Sequence, residues 1–258
     1  MLLSEGGCSV LTRLHADQRA IALKHYELDA GKNPVLLAKK LREIIEDCAW
    51  LKAPETEVNF SINHTGKVLV PNAFYIPEKA REALSFHTHF LPSDLVLTTD
   101  MPTCEAQLVF SVSHYLQEAI ENELGRKVNI GHAFSTLLSE LVNAEKHSTE
   151  STLFAHIHDR YVDLIHLKKG KVHLANTFHI HSAEDYLYYL LFAMEQEGLN
   201  PETVKLVLLG DVYKESRIYE LSYQYVRHID FWKAKRLGNE TFEFQELAAH
   251  LYFTIFRL

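Results

Sequence analysis

The chain has 258 residues, 47% of them hydrophobic and 23% charged, which is typical of a globular protein with one large core or two smaller ones. Its formal net charge of -8 argues against a nucleic-acid partner, because phosphate backbones are bound by basic surfaces. Three scattered cysteines make no disulfide framework, and no apolar run approaches the roughly 20 residues that span a bilayer. We therefore expect a cytoplasmic protein with no membrane span.

The first half of the chain alternates strand and helix patterns. Apolar alternation between Cys8 and Leu28 predicts two strands joined near Asp17. Asn33 followed by Pro34 is typical of a helix start, and an apolar stripe continues that helix to about residue 51. The pattern then predicts a hairpin of strands 57–62 and 67–70, a short helix 77–86, strands 94–99 and 106–111, a helix 113–124, a strand 128–130 and a helix to about residue 145.

A polar segment without apolar periodicity, residues 146–150, predicts a domain boundary that divides the chain into residues 1–148 and 149–258. The second half then predicts strands 153–158, 161–167 and 171–180, a helix 182–198 opened by a capping-box sequence, a strand 204–209, a helix 214–226, a strand 228–232 and a helix 244–256. This order is βββαβαβα, and the first half approximates it with an inserted hairpin and short helix. We predict an α/β protein with mixed sheets, built from two similar lobes that face each other across a cleft.

Histidines suggest a first kind of site. The pairs His156/His158 and His179/His181 each have two residues on one face of a predicted strand, so each pair offers two metal ligands. Because a third strand separates them, a shared transition-metal ion would need a ligand from that strand, and His166 is the candidate. The alternative is that these histidines line a half-exposed sheet face.

Aspartates suggest a second kind of site. Asp17, Asp163 and Asp211 lie at predicted turns or strand ends, where two-lobed enzymes place carboxylates that bind magnesium. The alternative is structural, because aspartate in a turn often accepts a hydrogen bond from its own backbone. No glycine-rich phosphate-binding motif of the GxGxxG or GxxxxGK[ST] type is present in the sequence.

The predicted helix near residue 190 suggests a contact surface. Nine apolar or aromatic residues run without interruption from Tyr186 to Met194. Such a helix is either buried on all sides or half-buried with an adhesive outer face, which would bind a protein partner or a second copy of the chain.

Three segments, residues 171–178, 184–192 and 207–210, resemble those of a family of uncharacterised bacterial proteins of about this length. The resemblance implies the fold of the actin, Hsp70 and sugar-kinase ATPases, which consists of two ribonuclease-H-like lobes. It implies no activity.

The wider superfamily binds nucleotide through two phosphate hairpins and an adenosine motif, and the resemblance implies where these would lie. The second hairpin, DxGxxTTDL, places His156 at its aspartate and His158 at its glycine when its last two positions are set on Asp163 and Leu164. The first would fall within residues 11–18, which contain no glycine. Of the two adenosine glycines, Gly210 matches the first and Asp211 replaces the second.

Three functions follow from these observations. The first is a non-catalytic binding or scaffold protein with degenerate nucleotide motifs and no cofactor. The second is a divergent ATP-dependent phosphotransferase or ATPase that uses Asp17, Asp163 or Asp211 for magnesium. The third is a metal protein lined by His156, His158 and His166.

Overall fold

The structure is a computed structural model that describes residues 1–4, 6–28, 33–233 and 254–257. The described strands are β1 (Leu2–Ser4), β2 (Gly7–Arg13), β3 (Ala20–Glu27), β4 (Phe60–Asn63), β5 (Lys67–Pro71), β6 (Leu95–Met101), β7 (Ala106–Val112), β8 (Ile130–His132), β9 (Ser151–Ile157), β10 (Tyr161–Lys168), β11 (Lys171–His179), β12 (Lys205–Gly210) and β13 (His228–Phe231). The described helices are α1 (Pro34–Asp47), α2 (Ala80–Ser85), α3 (His114–Leu124), α4 (Ala133–Glu145), α5 (Ala183–Gln196) and α6 (Arg217–Tyr225).

Two sheets share one topology over the described residues. Their strand orders are β3-β2-β1-β4-β8 and β11-β10-β9-β12-β13. In each sheet an antiparallel three-strand meander is followed by two parallel strands. The predicted mixed α/β class and the repeated element order are confirmed as far as the described residues extend; the predicted helix 244–256 lies almost entirely outside them.

The chain falls into two compact units. One consists mainly of Ala20–Leu138 together with Met1–Leu14, and the other mainly of Ser139–Phe256. The predicted domain boundary after residue 148 stays a prediction. None of the described helices is both long and apolar enough to cross a membrane.

Two predictions for the first unit were wrong. Strand β1 was missed, and it pairs with both β2 and β4 in the middle of the first sheet. The predicted hairpin of residues 57–70 does not form, because β4 pairs in parallel with β1 and β8 whereas β5 pairs with β7 in a separate sheet. That separate sheet, with the order β5-β7-β6, is an insertion between β4 and α3, and α2 packs against it through Ala80 and Leu84.

The second unit follows its sequence signals closely. Ser182 accepts a hydrogen bond from the backbone N–H of Asp185, and the Asp185 carboxylate accepts from the Ser182 N–H, so the predicted capping box is present at the start of α5. Buried residues of α5, including Tyr186 and Leu190, pack on the face of the sheet that carries Leu164 and Leu208. The opposite face of the same strands carries His156, Asp163 and Thr177.

Candidate functional site

A row of polar side chains crosses one end of the second sheet. Asp163 on β10 is paired directly with His156 on β9 and with Thr177 on β11. Residues paired across antiparallel strands point to the same face, and His158, two positions beyond His156, joins them. Strands β9 and β12 are parallel and both end here, and the carboxyl ends of parallel strands are where α/β sheets commonly bind ligands.

The carboxylate of Asp163 lies at the centre of this row. Its Oδ1 accepts a hydrogen bond of 2.6 Å from the Thr177 hydroxyl. Its Oδ2 lies 3.1 Å from Nε2 of His158 and 3.8 Å from Nδ1 of His156. Only 1% of the Asp163 side chain is exposed, and a buried carboxylate is costly unless polar groups surround it, so these neighbours stabilise it.

The two histidine rings are held by packing as well. They meet edge to face with their centroids 4.1 Å apart, and the ring of His158 stacks on Tyr161 at 4.0 Å. The backbone N–H of His158 donates to the carbonyl oxygen of Tyr161, which closes the turn between β9 and β10. The turn therefore fixes the direction in which both ring edges point.

Gly210 ends β12 beside this row. Its φ of +80° is in the left-handed region, and a Cβ there would lie 2.1 Å from the carbonyl oxygen of Ile157 and 2.8 Å from the His156 ring. Glycine is required at this position because β9 and the His156 ring approach so closely. Close packing within the sheet is therefore an alternative explanation for the glycine at this position, besides its expected role in binding adenosine.

The side chains of the other two predicted aspartates are exposed. Asp211 is exposed, and its backbone N–H donates to the carbonyl oxygen of Ile157 at the end of the row. Asp17 accepts a hydrogen bond from the backbone N–H of Arg19 and pairs with its guanidinium at 3.7 Å. This is the turn-stabilising role that was the alternative to magnesium binding.

The structure does not bring His166 to His156 and His158, so a shared ion of these three residues is excluded. Instead, the Nδ1 atom of His166 lies 2.8 Å from a carboxylate oxygen of Glu197, and its ring lies 5.3 Å from that of His173. The reason is strand parity, because Asp163 and His166 are three positions apart on β10 and point to opposite faces.

The first sheet corrects the expected place of the first phosphate hairpin. The hairpin equivalent to β9–β10 is β1–β2, not the one within residues 11–18. Gly6 lies in its turn and Gly7 is the first residue of β2, so the expectation that this hairpin lacks glycine was wrong. A Cβ at Gly7 would lie 2.6 Å from the carbonyl oxygen of Tyr26 and 2.7 Å from the ring of His25, whereas a Cβ at Gly6 would meet nothing within 4 Å.

Sequence reasoning missed four residues that complete these clusters. Thr177 and Tyr161 support the first, and His173 and Glu197 complete the second. No local motif marks them. Thr177 could have been found only from the strand register, since it pairs with Asp163.

Among the solved structures that resemble the chain are two that align with at least 95% of it. One is a protein of unknown function with an actin-like ATPase fold from Bacteroides thetaiotaomicron VPI-5482, with a TM-score of 0.81 and 16% identity over 95% of this chain and 92% of that chain. The other belongs to a PilM–PilN type IV pilus biogenesis complex, with a TM-score of 0.61 and 12% identity over 99% of this chain and 95% of that chain. At these identities the likeness shows the fold, which is the actin-like ATPase fold implied by the sequence.

Family membership comes from the sequence itself. No curated protein matches the chain. The model of DUF3822, a family described as proteins of unknown function, matches residues 1–229. The match covers most of the chain and includes all the residues of the polar row, so the protein belongs to the DUF3822 family.

Proposed function

We propose that the protein is a non-catalytic binding protein of the actin-like fold, in which the second phosphate hairpin no longer holds nucleotide. One observation carries this proposal. The place where the superfamily resemblance puts a phosphate-binding aspartate and glycine is filled by His156 and His158, which pack against Asp163 and Tyr161.

The bonding of Asp163 supports the proposal. A magnesium-binding aspartate must present its oxygens to the ion or to water molecules bound to it. On β10 one oxygen of Asp163 accepts from Thr177 and the other faces His158, within a site that is almost fully buried. The groups facing that second oxygen are imidazole nitrogens, whereas Mg²⁺ takes oxygen ligands and keeps several bound waters.

Packing at the neighbouring strand end supports the same proposal. Phosphate cradles are built from backbone N–H groups that a ligand can approach closely. At Gly210 the space that a Cβ would occupy is already taken by the backbone of Ile157 and the ring of His156. The missing side chain thus serves packing within the sheet.

The binding role is supported by the similar structure from the PilM–PilN type IV pilus biogenesis complex, which is an assembly of more than one protein. We place the contact surface on the outer face of α5. There Tyr188 is 64% exposed and Phe192 41% exposed, and their rings stack at a centroid distance of 6.2 Å. Exposed aromatic pairs are common anchors of protein interfaces.

Calorimetric titration of the full chain with ATP and magnesium tests the first half of the proposal. We expect no heat of binding up to millimolar ATP, and no phosphate release above that of the buffer. Micromolar affinity would overturn it, and the divergent-ATPase alternative would then gain support. The variant Gly6→Ala serves as a control, because it would reveal any contribution from the open glycine of the first hairpin.

Sedimentation over a wide range of protein concentration tests the contact surface, with a second copy of the chain as the partner under test. We expect concentration-dependent association that the double change Tyr188→Glu and Phe192→Glu removes. The matched control is Tyr223→Glu, which changes an exposed tyrosine on α6 instead. A wild-type protein that stays monomeric throughout would rule out self-association through α5.

A further inference from the structure

The polar row has the composition and spacing of a metal site. His156, His158 and Asp163 each offer one donor atom, and these three atoms lie within 4.8 Å of one another. In a tetrahedral zinc site with bonds of about 2.0–2.1 Å, neighbouring ligand atoms are about 3.3 Å apart. The distances from Asp163 Oδ2 to the two rings, 3.1 and 3.8 Å, lie on either side of that value.

From this geometry we propose that His156, His158 and Asp163 bind a divalent transition-metal ion, with Zn²⁺ as the ion that best suits two imidazoles and one carboxylate. The site goes beyond the proposed function and does not depend on it. Three protein ligands leave one position of a tetrahedral ion to water. The His158 side chain is 12% exposed, which provides a route from solvent to the donors.

The surroundings of the donors have the features of a metal site's outer shell. Ligands of metal sites are usually oriented by further hydrogen bonds and packing. The Thr177 hydroxyl orients the carboxylate of Asp163, and Tyr161 holds the ring of His158 by stacking. Gly210 lets the ring of His156 lie against the end of β12. These contacts hold the three ligand side chains close to the metal-binding geometry before the ion arrives.

A second histidine cluster is the natural competitor. His166, His173 and Glu197 also place three donors within 4.8 Å of one another. However, Nδ1 of His166 faces Glu197 at 2.8 Å while its Nε2 lies 3.4 Å from the Ser151 hydroxyl, and His173 is exposed. Its donors come from less constrained positions, so we place the ion at the polar row.

Titration of chelator-treated full-length protein with Zn²⁺, together with elemental analysis after dialysis, tests the proposal. We expect one Zn²⁺ per chain. His158→Gln should weaken binding by more than about 100-fold, since even the loss of an outer-shell partner costs 10–100-fold. The matched control His173→Gln should bind as the wild type does. Affinity should also fall as the pH is lowered, because the ligands must be deprotonated.

Two results would overturn the site. One is folded wild-type protein without stoichiometric Zn²⁺, and the other is binding that His173→Gln abolishes and His158→Gln preserves. If His158→Gln does not fold, as judged by circular dichroism, zinc-edge X-ray absorption of the His173→Gln variant decides the matter, because the second cluster then offers only one imidazole. Two imidazole ligands support the site, and one or none rejects it. None of these zinc measurements bears on ATP binding. The zinc site can therefore be rejected while the proposed function stands, and the reverse also holds.

Discussion

The two sheets repeat one strand order, and each contains a corresponding hairpin, β1–β2 in the first sheet and β9–β10 in the second. The equivalent position on the second strand of each hairpin makes an exposed contact in the first sheet and is buried in the second. In the first sheet Ser9 pairs with Leu2 and His25, and the contact between its hydroxyl and the His25 ring is exposed. In the second sheet the equivalent residue is Asp163, which is buried.

The difference shows that a backbone frame does not determine the chemistry of its strand ends. A hydroxyl beside water can exchange its partner at little cost, whereas a buried carboxylate depends on every neighbour that it has. The second hairpin should therefore tolerate substitution much less than the first. Three measurements test that contrast.

The largest effect is expected for Asp163→Ala compared with Ser9→Ala. Removing the buried carboxylate takes away a polar partner of the Thr177 hydroxyl and of the two histidine rings. Breaking such a buried network lowers the free energy of unfolding by about 3–5 kcal/mol. Ser9→Ala removes an exposed contact and should cost less than about 0.5 kcal/mol. Urea denaturation measures both, and equal losses would show that the burial of the row does not matter.

A smaller effect is expected for Gly210→Ala. The new Cβ would be forced against the carbonyl oxygen of Ile157 in a left-handed backbone, and strain and overpacking together should cost about 3 kcal/mol. Gly198→Ala is the matched control, because Gly198 has a φ of +63° with nothing within 4 Å of its Cβ position, so only the backbone cost of about 1 kcal/mol remains. Thermal unfolding of the two variants side by side gives the comparison. A Gly210→Ala protein as stable as the control would mean that β9 and β12 separate easily.

Much of the second unit could be predicted from sequence because its signals are local. Gly170 marks the turn between β10 and β11, and the capping box marks the start of α5. In the first unit, β1 has only three residues and is placed by a parallel partner far along the chain. Three residues carry too little alternation to reveal a strand, and pairing at that distance leaves no local pattern.

The candidate site was predictable only in part for the same reason. The spacing of His156 and His158 shows that they share a face, but it does not show which carboxylate faces them. That depends on the register of β9 against β10, which pairs Asp163 with His156. The second cluster depends in addition on a register shift after His166, for which the sequence has no marker.

The smallest effect concerns His64 in the first unit, whose ring bonds to backbone groups and not to a carboxylate. His64 accepts a hydrogen bond at Nδ1 from the backbone N–H of Gly66, and its Nε2 donates to the carbonyl oxygen of Ser111. These bonds fit the neutral ring. Burial, with the nearby charge of Lys67, lowers the pKa of His64 from 6.5 to about 4.

The sign of the pH dependence follows from that pKa. Between pH 6.5 and pH 4 the unfolded chain binds a proton at His64 and the folded chain does not, so stability falls as the pH falls through this window. The contribution of His64 alone should amount to about 2 kcal/mol between pH 7 and pH 5. His64→Asn, whose side-chain oxygen can accept from Gly66 but does not titrate, should remove that part of the slope in urea denaturation. An unchanged slope would mean that His64 titrates normally in the folded protein, and its contrast with the histidines beside Asp163 in the second unit would then be lost.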